Sequence, residues 1–148
     1  MKAAVITISD RASRGEYEDK SGPEIEAILQ ENFPHVTVTK KIVPDEKEQI
    51  MEAFRGGEDA DFIFTTGGTG IGPRDITPDV TETYCNKPLP GIAELLRRES
   101  YRETVTAVLS RGYAGMKDKQ IIVNFPGSVK AVRLCTRLMI PMMEQKGF

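Results

Sequence analysis

The sequence predicts an α/β fold of three layers: an open, mostly parallel sheet with helices on both faces. Three observations predict it. Short runs at residues 3–8, 62–66 and 119–125 are too short for helices and have the β-branched and aromatic content of strands buried on two sides. Between them lie segments with apolar residues at helical spacing, so strand and helix alternate, as parallel strands joined by crossover helices require. Each run also ends in polar or glycine-rich residues, at the edge where open α/β sheets collect ligands.

Ala3-Ala4-Val5-Ile6-Thr7-Ile8 reads as a central strand. Ser9 and Asp10 follow it and are site candidates; the alternative is a loop capped by its own side chains. Residues 11–20 are polar and read as a loop. Ser21 is the expected N-cap of the first helix, with Glu24 completing a capping box. Ile25, Ile28, Leu29 and Phe33 share one face of that helix, and Pro34 stops it. His35, the only histidine, stands at the start of the next strand and is given no role. Val36 to Val43 forms that strand. Asp45 then has two readings: an N-cap with Glu48 closing a capping box, or a strand-end carboxylate that holds a metal or substrate group. Ile50, Met51 and Phe54 supply the buried face of the following helix, which ends at Gly56-Gly57.

Phe62-Ile63-Phe64-Thr65-Thr66 is the next strand, and it breaks at once into four glycines within six residues, Gly67 to Gly72. Arg74 and Asp75 follow, then Thr77-Pro78, a hydroxyl N-cap with proline opening a helix that runs to about Tyr84. Lys87 to Gly91 is a proline-punctuated turn, and Ile92, Leu95, Leu96 and Glu99 mark another helix. Val105 to Leu109 is apolar and β-rich, part of either a hairpin or a loop, and Tyr113-Ala114-Gly115 reads as a turn. Lys119 to Phe125 is a buried strand, and Ser128 caps a last helix whose stripe is Val132, Cys135, Leu138, Met139 and Met142.

The chain of 148 residues fits a single domain spanning 1–148, with no repeat, linker or low-complexity segment. A formal net charge of −2 argues against a general nucleic-acid or anionic-membrane binder, though not against a pocket for a small anion. Cys85 and Cys135 lack metal spacing and read as reduced, packed thiols. The chain opens directly into a strand pattern, without a signal peptide, and has no run near the roughly 20 apolar residues of a membrane span. The expected location is cytoplasmic.

The glycine loop fits neither common phosphate motif. Gly67-x4-Gly72 is followed by Pro73-Arg74, so the lysine and hydroxyl of a P-loop are missing. Gly68 and Gly70 begin a dinucleotide fingerprint, but Pro73 occupies its third place. Four glycines, two threonines and an Arg-Asp pair exceed what a turn needs. Successive amides in such a loop make a concave anion site. Asp75 is either a carboxylate on the helix dipole or, with Asp45 at a neighbouring strand end, half of a pair suited to Mg²⁺ and substrate phosphates. Positioning and charge neutralisation are most of what phosphoryl or nucleotidyl transfer asks of a protein.

Thr66-Gly67-Gly68-Thr69-Gly70 followed by Arg74-Asp75-x-Thr77-Pro78-Asp79 resembles the signature of the molybdenum-cofactor biosynthesis family, which contains the MogA and MoaB proteins and the G domains of gephyrin and its plant counterpart. Ile8-Ser9-Asp10-Arg11, Val43-Pro44-Asp45-Glu46, Leu109-Ser110-Arg111 and Asn124-Phe125-Pro126-Gly127 are similar to further landmarks in the same order. The resemblance covers nearly the whole chain and implies that family's fold. It is strongest to the adenylyltransferase branch, which implies transfer of AMP from Mg²⁺-ATP to the terminal phosphate of molybdopterin, with release of pyrophosphate. Asp45 and Asp75 match the two essential acidic positions, catalytic and at the metal. Thr66, Gly67, Gly68, Thr69, Gly70 and Arg74 match the ligand loop, with Ser9, Asp10, Pro126 and Gly127 beside it. Ser100 and Ser110 match hydroxyls near the pterin and its phosphate. A homotrimer and a molybdenum-insertion partner are also implied.

Some family members keep the fold and the loop but lack the acidic pair. A molybdopterin-binding or carrier trimer without adenylyl transfer is therefore the alternative, and retention of both aspartates weighs against it. A domain acting on another nucleotide, as in competence-damage-type proteins, is a weaker alternative for a chain this short.

Overall fold

A computed structural model describes residues 1–146; Gly147 and Phe148, where the sequence ends after its last predicted helix, lie outside the described residues. The strands are β1 (Lys2–Ile8), β2 (Thr37–Val43), β3 (Phe62–Thr66), β4 (Lys87–Pro88), β5 (Ala114–Lys117) and β6 (Gln120–Phe125). The α-helices are α1 (Asp10–Ser13), α2 (Ser21–Asn32), α3 (Lys47–Gly56), α4 (Thr77–Tyr84), α5 (Pro90–Tyr101) and α6 (Val129–Gln145), with a 3₁₀ helix at Val105–Leu109. All six strands join one sheet in the order β2-β1-β3-β6-β5-β4.

The unbroken apolar runs of β1, β3 and β6 follow from burial on both faces. Ala3, Val5, Phe62, Phe64, Ile121 and Val123 face one core, under α2, α5 and α6. Ala4, Ile6, Ile8, Ile63 and Ile122 face the other, under α3 and α4. Phe64 stacks on Phe62 at 5.8 Å and on Phe125 at 5.2 Å between ring centroids, at the centre of the larger core. The predicted three-layer, mostly parallel architecture is present.

β2, β1, β3 and β6 run parallel, whereas β5 and β4 pair antiparallel at the far edge. That edge departs from the sequence reading. Ala114 and Gly115 belong to β5, where Ala114 pairs with Val123, instead of forming a turn. Val105–Leu109 winds into the 3₁₀ helix with Val105, Val108 and Leu109 exposed, so its β-rich composition does not become a strand. The loop expected over 11–20 begins with the one-turn α1, capped by Ser9 Oγ, which accepts from Ala12 N at 3.2 Å.

The chain leaves β1 for β2 on one side and returns to β3 on the other. Connections therefore diverge between the carboxyl ends of β1 and β3, which opens a crevice there.

Candidate functional site

The glycine loop fills that crevice with main chain. Gly67 has φ +100° and Gly68 φ +69°, a region that costs little only for glycine. A Cβ on Gly67 would stand 2.3 Å from Ile8 O, and one on Gly68 would stand 2.3 Å from Thr77 Oγ1 and 2.9 Å from Asp45 Oδ1. The loop is tied to the end of β6: Gly67 N donates to Phe125 O at 3.1 Å, and Thr66 Oγ1 donates to Pro126 O at 2.8 Å. Thr77 N then donates to Gly68 O at 3.2 Å, joining the loop to the start of α4.

Arg111 grips the loop from the 3₁₀ side. Its backbone N donates to Thr69 O at 2.8 Å, its Nε to Gly70 O at 3.0 Å, and its Nη2 to Asp75 O. The same guanidinium pairs with Asp79, Nη2 to Oδ2 at 3.0 Å. Sequence reading gave Arg111 no role, since its partners lie more than thirty positions away and only the fold reveals them.

Two cavities flank the loop. One, of about 380 Å³, lies over the β1–β3 crevice and is lined by Ser9, Asp45, Thr66, Gly67, Gly68, Asp75 and Gly127 among others. The second, of about 330 Å³, lies between the loop, the 3₁₀ helix and α6, and takes in Thr69, Gly70, Ser100, Ser110 and Pro126. The predicted residues are thus divided between two adjoining spaces. A Cβ on Gly127 would come within 3.4 Å of Gly67 Cα, so the two backbones pack directly against each other in the wall of the first cavity. Asp10 and Arg74 line neither cavity; each engages the other.

Arg11, quoted from sequence only as part of a family landmark, also lines the first cavity, as do Tyr17 and Asp19, which were not singled out. Asp19 Oδ1 accepts from Ser21 N at 3.1 Å and Gly22 N at 3.2 Å, and its Oδ2 accepts from Thr7 Oγ1 at 2.7 Å. Asp19 therefore performs the capping assigned to Ser21. Ser21 is instead the first residue of α2, and its hydroxyl donates to Gly127 O at 2.9 Å. An aspartate two residues before Ser-Gly-Pro was the available signal for this cap. In the second cavity the unpredicted Lys130 adds a cation.

The structure also decides between the readings of Asp45. The N-cap of α3 is Glu46, without a side-chain cap bond, and Asp45 Oδ2 accepts from Asp10 N at 3.0 Å. Asp45 is therefore a strand-end carboxylate and not a helix cap. Thr77 is likewise no cap: α4 is preceded by Ile76, and Thr77 Oγ1 is buried without a hydrogen-bond partner among the described residues. Ser128 does cap, accepting from Ala131 N at 3.1 Å. Ser100 Oγ lies 3.9 Å from Cys135 Sγ, and Ser110 Oγ accepts from Gly112 N at 3.2 Å.

Asp45 and Asp75 converge on the loop. Asp75 Oδ2 accepts from Gly72 N at 2.9 Å and would lie 2.9 Å from a Cβ on Gly70. Burial pushes the Asp45 carboxyl above the usual carboxylate range; the negative charges of Asp10 and Asp75 push the same way, against a backbone bond from Asp10. Such a field favours a cation. No group of three or more His, Cys, Asp and Glu side chains among the described residues is placed to hold a metal by itself. Two carboxylates beside amide-rich backbone fit a Mg²⁺ that draws its other ligands from phosphate and water.

Known proteins resemble the chain over nearly its whole length. Residues 4–145 match the family model described as a probable molybdopterin binding domain. A molybdopterin adenylyltransferase of Helicobacter pylori (strain ATCC 700392 / 26695) is 43% identical over 141 residues, covering 93% of this chain and 80% of that protein. Molybdenum cofactor biosynthesis protein B of Bacillus anthracis is 37% identical over 154 residues, covering all of this chain and 89% of its own length. The crystal structure of a molybdopterin biosynthesis protein from Mycobacterium abscessus superposes with a TM-score of 0.91 at 34% identity, over 98% of this chain and 92% of that one. With its sheet order, its glycine loop and these matches all in accord, the chain belongs to the molybdopterin-binding family of molybdenum cofactor biosynthesis proteins.

Proposed function

We propose that the chain is a molybdopterin adenylyltransferase, transferring AMP from ATP to the terminal phosphate of molybdopterin and releasing pyrophosphate. The observation that carries this reading is the convergence of Asp45 and Asp75 on one glycine loop that has a cavity on each side. The first cavity receives the triphosphate, against the Gly67 and Gly68 backbone. The second receives the pterin, with Ser100, Ser110 and Lys130 toward its phosphate. A phosphate oxygen of molybdopterin attacks the α-phosphorus as the bond to pyrophosphate breaks, so the two substrates meet at the glycine loop, which lines both cavities. Asp45 and Asp75 would hold Mg²⁺, which supplies charge neutralisation to the phosphates when bound. The protein's own share is alignment of the two reactants.

Asp75→Asn tests the reading. Asparagine can still accept from Gly72 N, so the melting temperature should stay within a few degrees, while AMP transfer falls by about two orders of magnitude or more. Incubation of each protein with molybdopterin, ATP and Mg²⁺, followed by chromatography of the adenylylated product, measures it. Wild-type rates in the variant would remove Asp75 from the chemistry. The name of the Bacillus anthracis relative specifies no transfer reaction, which keeps a carrier role as the second reading. Molybdopterin retention without AMP formation by the wild-type protein would select it. On the leading reading the enzyme is a single-domain homotrimer of the cytoplasm that hands its product to a molybdenum-insertion protein. No helix among the described residues is long and apolar enough to cross a membrane.

A further inference from the structure

Sequence reading assigned Asp10 and Arg74 to substrate, yet both are engaged with protein. Arg74 Nε donates to Asp10 Oδ2 at 2.7 Å, and its Nη2 reaches Asp10 Oδ1 at 3.1 Å, Asp45 O at 3.1 Å and Glu46 Oε1 at 2.7 Å. Beneath this fork Asp10 and Asp45 exchange bonds: Asp10 N donates to Asp45 Oδ2 at 3.0 Å, and Asp45 N donates to Asp10 Oδ1 at 3.0 Å. Ile8 and Val43 are register partners, so Asp10 and Asp45 each lie two residues beyond the paired ends of neighbouring strands. Arg74 is also the covalent neighbour of Asp75. One guanidinium therefore connects the residues that orient Asp45 to the residue that carries Asp75.

We propose that Arg74 and Asp10 are positioning residues: together they clasp the 70–76 segment to the ends of β1 and β2 and thereby fix Asp45 against Asp75, without touching substrate. A solvent-exposed ion pair adds little stability. Its worth here is geometric, since a guanidinium fork spans two strand ends and a loop, whereas an ammonium is a point charge. Asp10 Oδ1 serves the clasp twice, accepting from both Asp45 N and Arg74. Removing either partner should loosen the same contacts.

The test uses Arg74→Lys, Arg74→Gln, Asp10→Asn and the double variant Arg74→Gln/Asp10→Asn. Hydrogen exchange reads the clasp independently of any reaction. The amides of Asp10, Asp45 and Gly72 should exchange about tenfold faster in every variant, lysine included, while those of β3 keep wild-type protection. The kinetic arm rests on the adenylyltransferase reading. There kcat should fall about tenfold with the KM for ATP within about twofold, and the double variant should be no worse than the worse single one. Wild-type exchange in Arg74→Gln overturns the proposal. So does an Arg74→Lys enzyme that keeps wild-type kcat while Arg74→Gln raises KM, because charge alone would then suffice. If exchange accelerates as expected in a protein that transfers no AMP, the clasp stands and the proposed function fails.

Discussion

Asp79 illustrates how a single contact sets a side chain's chemistry. Its hydrogen bond from Arg111 holds the carboxyl below the usual range, with burial opposing and the guanidinium's charge adding. A folded pKa below the unfolded one contributes stability that is complete above the ordinary carboxylate value and is lost as pH falls through the lowered folded value. Because Asp79 is largely exposed, that contribution is small and salt-sensitive. The sharper readout is titration: in Arg111→Gln the Asp79 carboxyl should move back up toward the ordinary range near 4, followed by carboxyl-carbon NMR. A titration unmoved by the substitution would separate Asp79 from Arg111. At this scale the sequence was a partial guide. Position alone marked Asp45 at a strand end and Asp75 beyond the glycines, and the structure brings both to the glycine loop, whereas Ser100 and Ser110 were named only through the family resemblance. The capping readings of Ser21 and Asp45 failed because each side chain meets a residue distant in sequence, and that of Thr77 failed because α4 already includes Thr77 and follows Ile76. Asp45 meets Asp10 thirty-five positions back, and Ser21 meets Gly127 across one hundred and six.

Elements were more legible than their side chains. The parallel strands could be placed from short apolar or alternating runs and the long helices from periodicity, and strand, glycine loop and α4 follow one another as read. The antiparallel edge was not legible. β4 and β5 are two and four residues long, and Ala-Gly-Met-Lys carries no strand composition, so their pairing depends on β6 being already in place. The glycine loop yields a contrast at this scale. Gly67→Ala combines a positive φ with a backbone collision, and should lower the unfolding free energy by about 2 kcal/mol or more in urea titrations. Gly91→Ala in the first turn of α5 meets no atom within 4 Å, and should lie within about 0.5 kcal/mol of wild type. Equal costs at the two positions would mean that the loop relaxes around the new methyl group.

For the whole molecule, the two thiols report intactness. Cys135 is buried and Cys85 half-buried, and burial pushes both thiols up to about 11. Since the thiolate is the reacting form, alkylation by iodoacetamide at pH 8 should be slower by about two orders of magnitude or more in the native protein than in urea. Rapid native labelling of Cys135 would show that α6 lifts from the sheet. The division of the site between two cavities belongs to this scale as well. The sequence does not show which residues share a cavity, because Gly67 and Gly127 are brought together by main-chain packing that leaves no side-chain signature.

The strand order has a further consequence during synthesis. β3 pairs with β6 across the middle of the sheet, Phe62 against Ile121 and Thr66 against Phe125. About sixty residues must therefore be added after β3 before its second edge is covered, a delay of several seconds at about 5–20 residues per second. Throughout that interval a nascent chain carries an open apolar strand edge, the kind of surface that chaperones and aggregates compete for. Gly67 N also awaits Phe125 O. The glycine loop thus acquires its final shape only when the sheet closes, and a translation product truncated before β6 lacks the bond that ties the loop to the sheet.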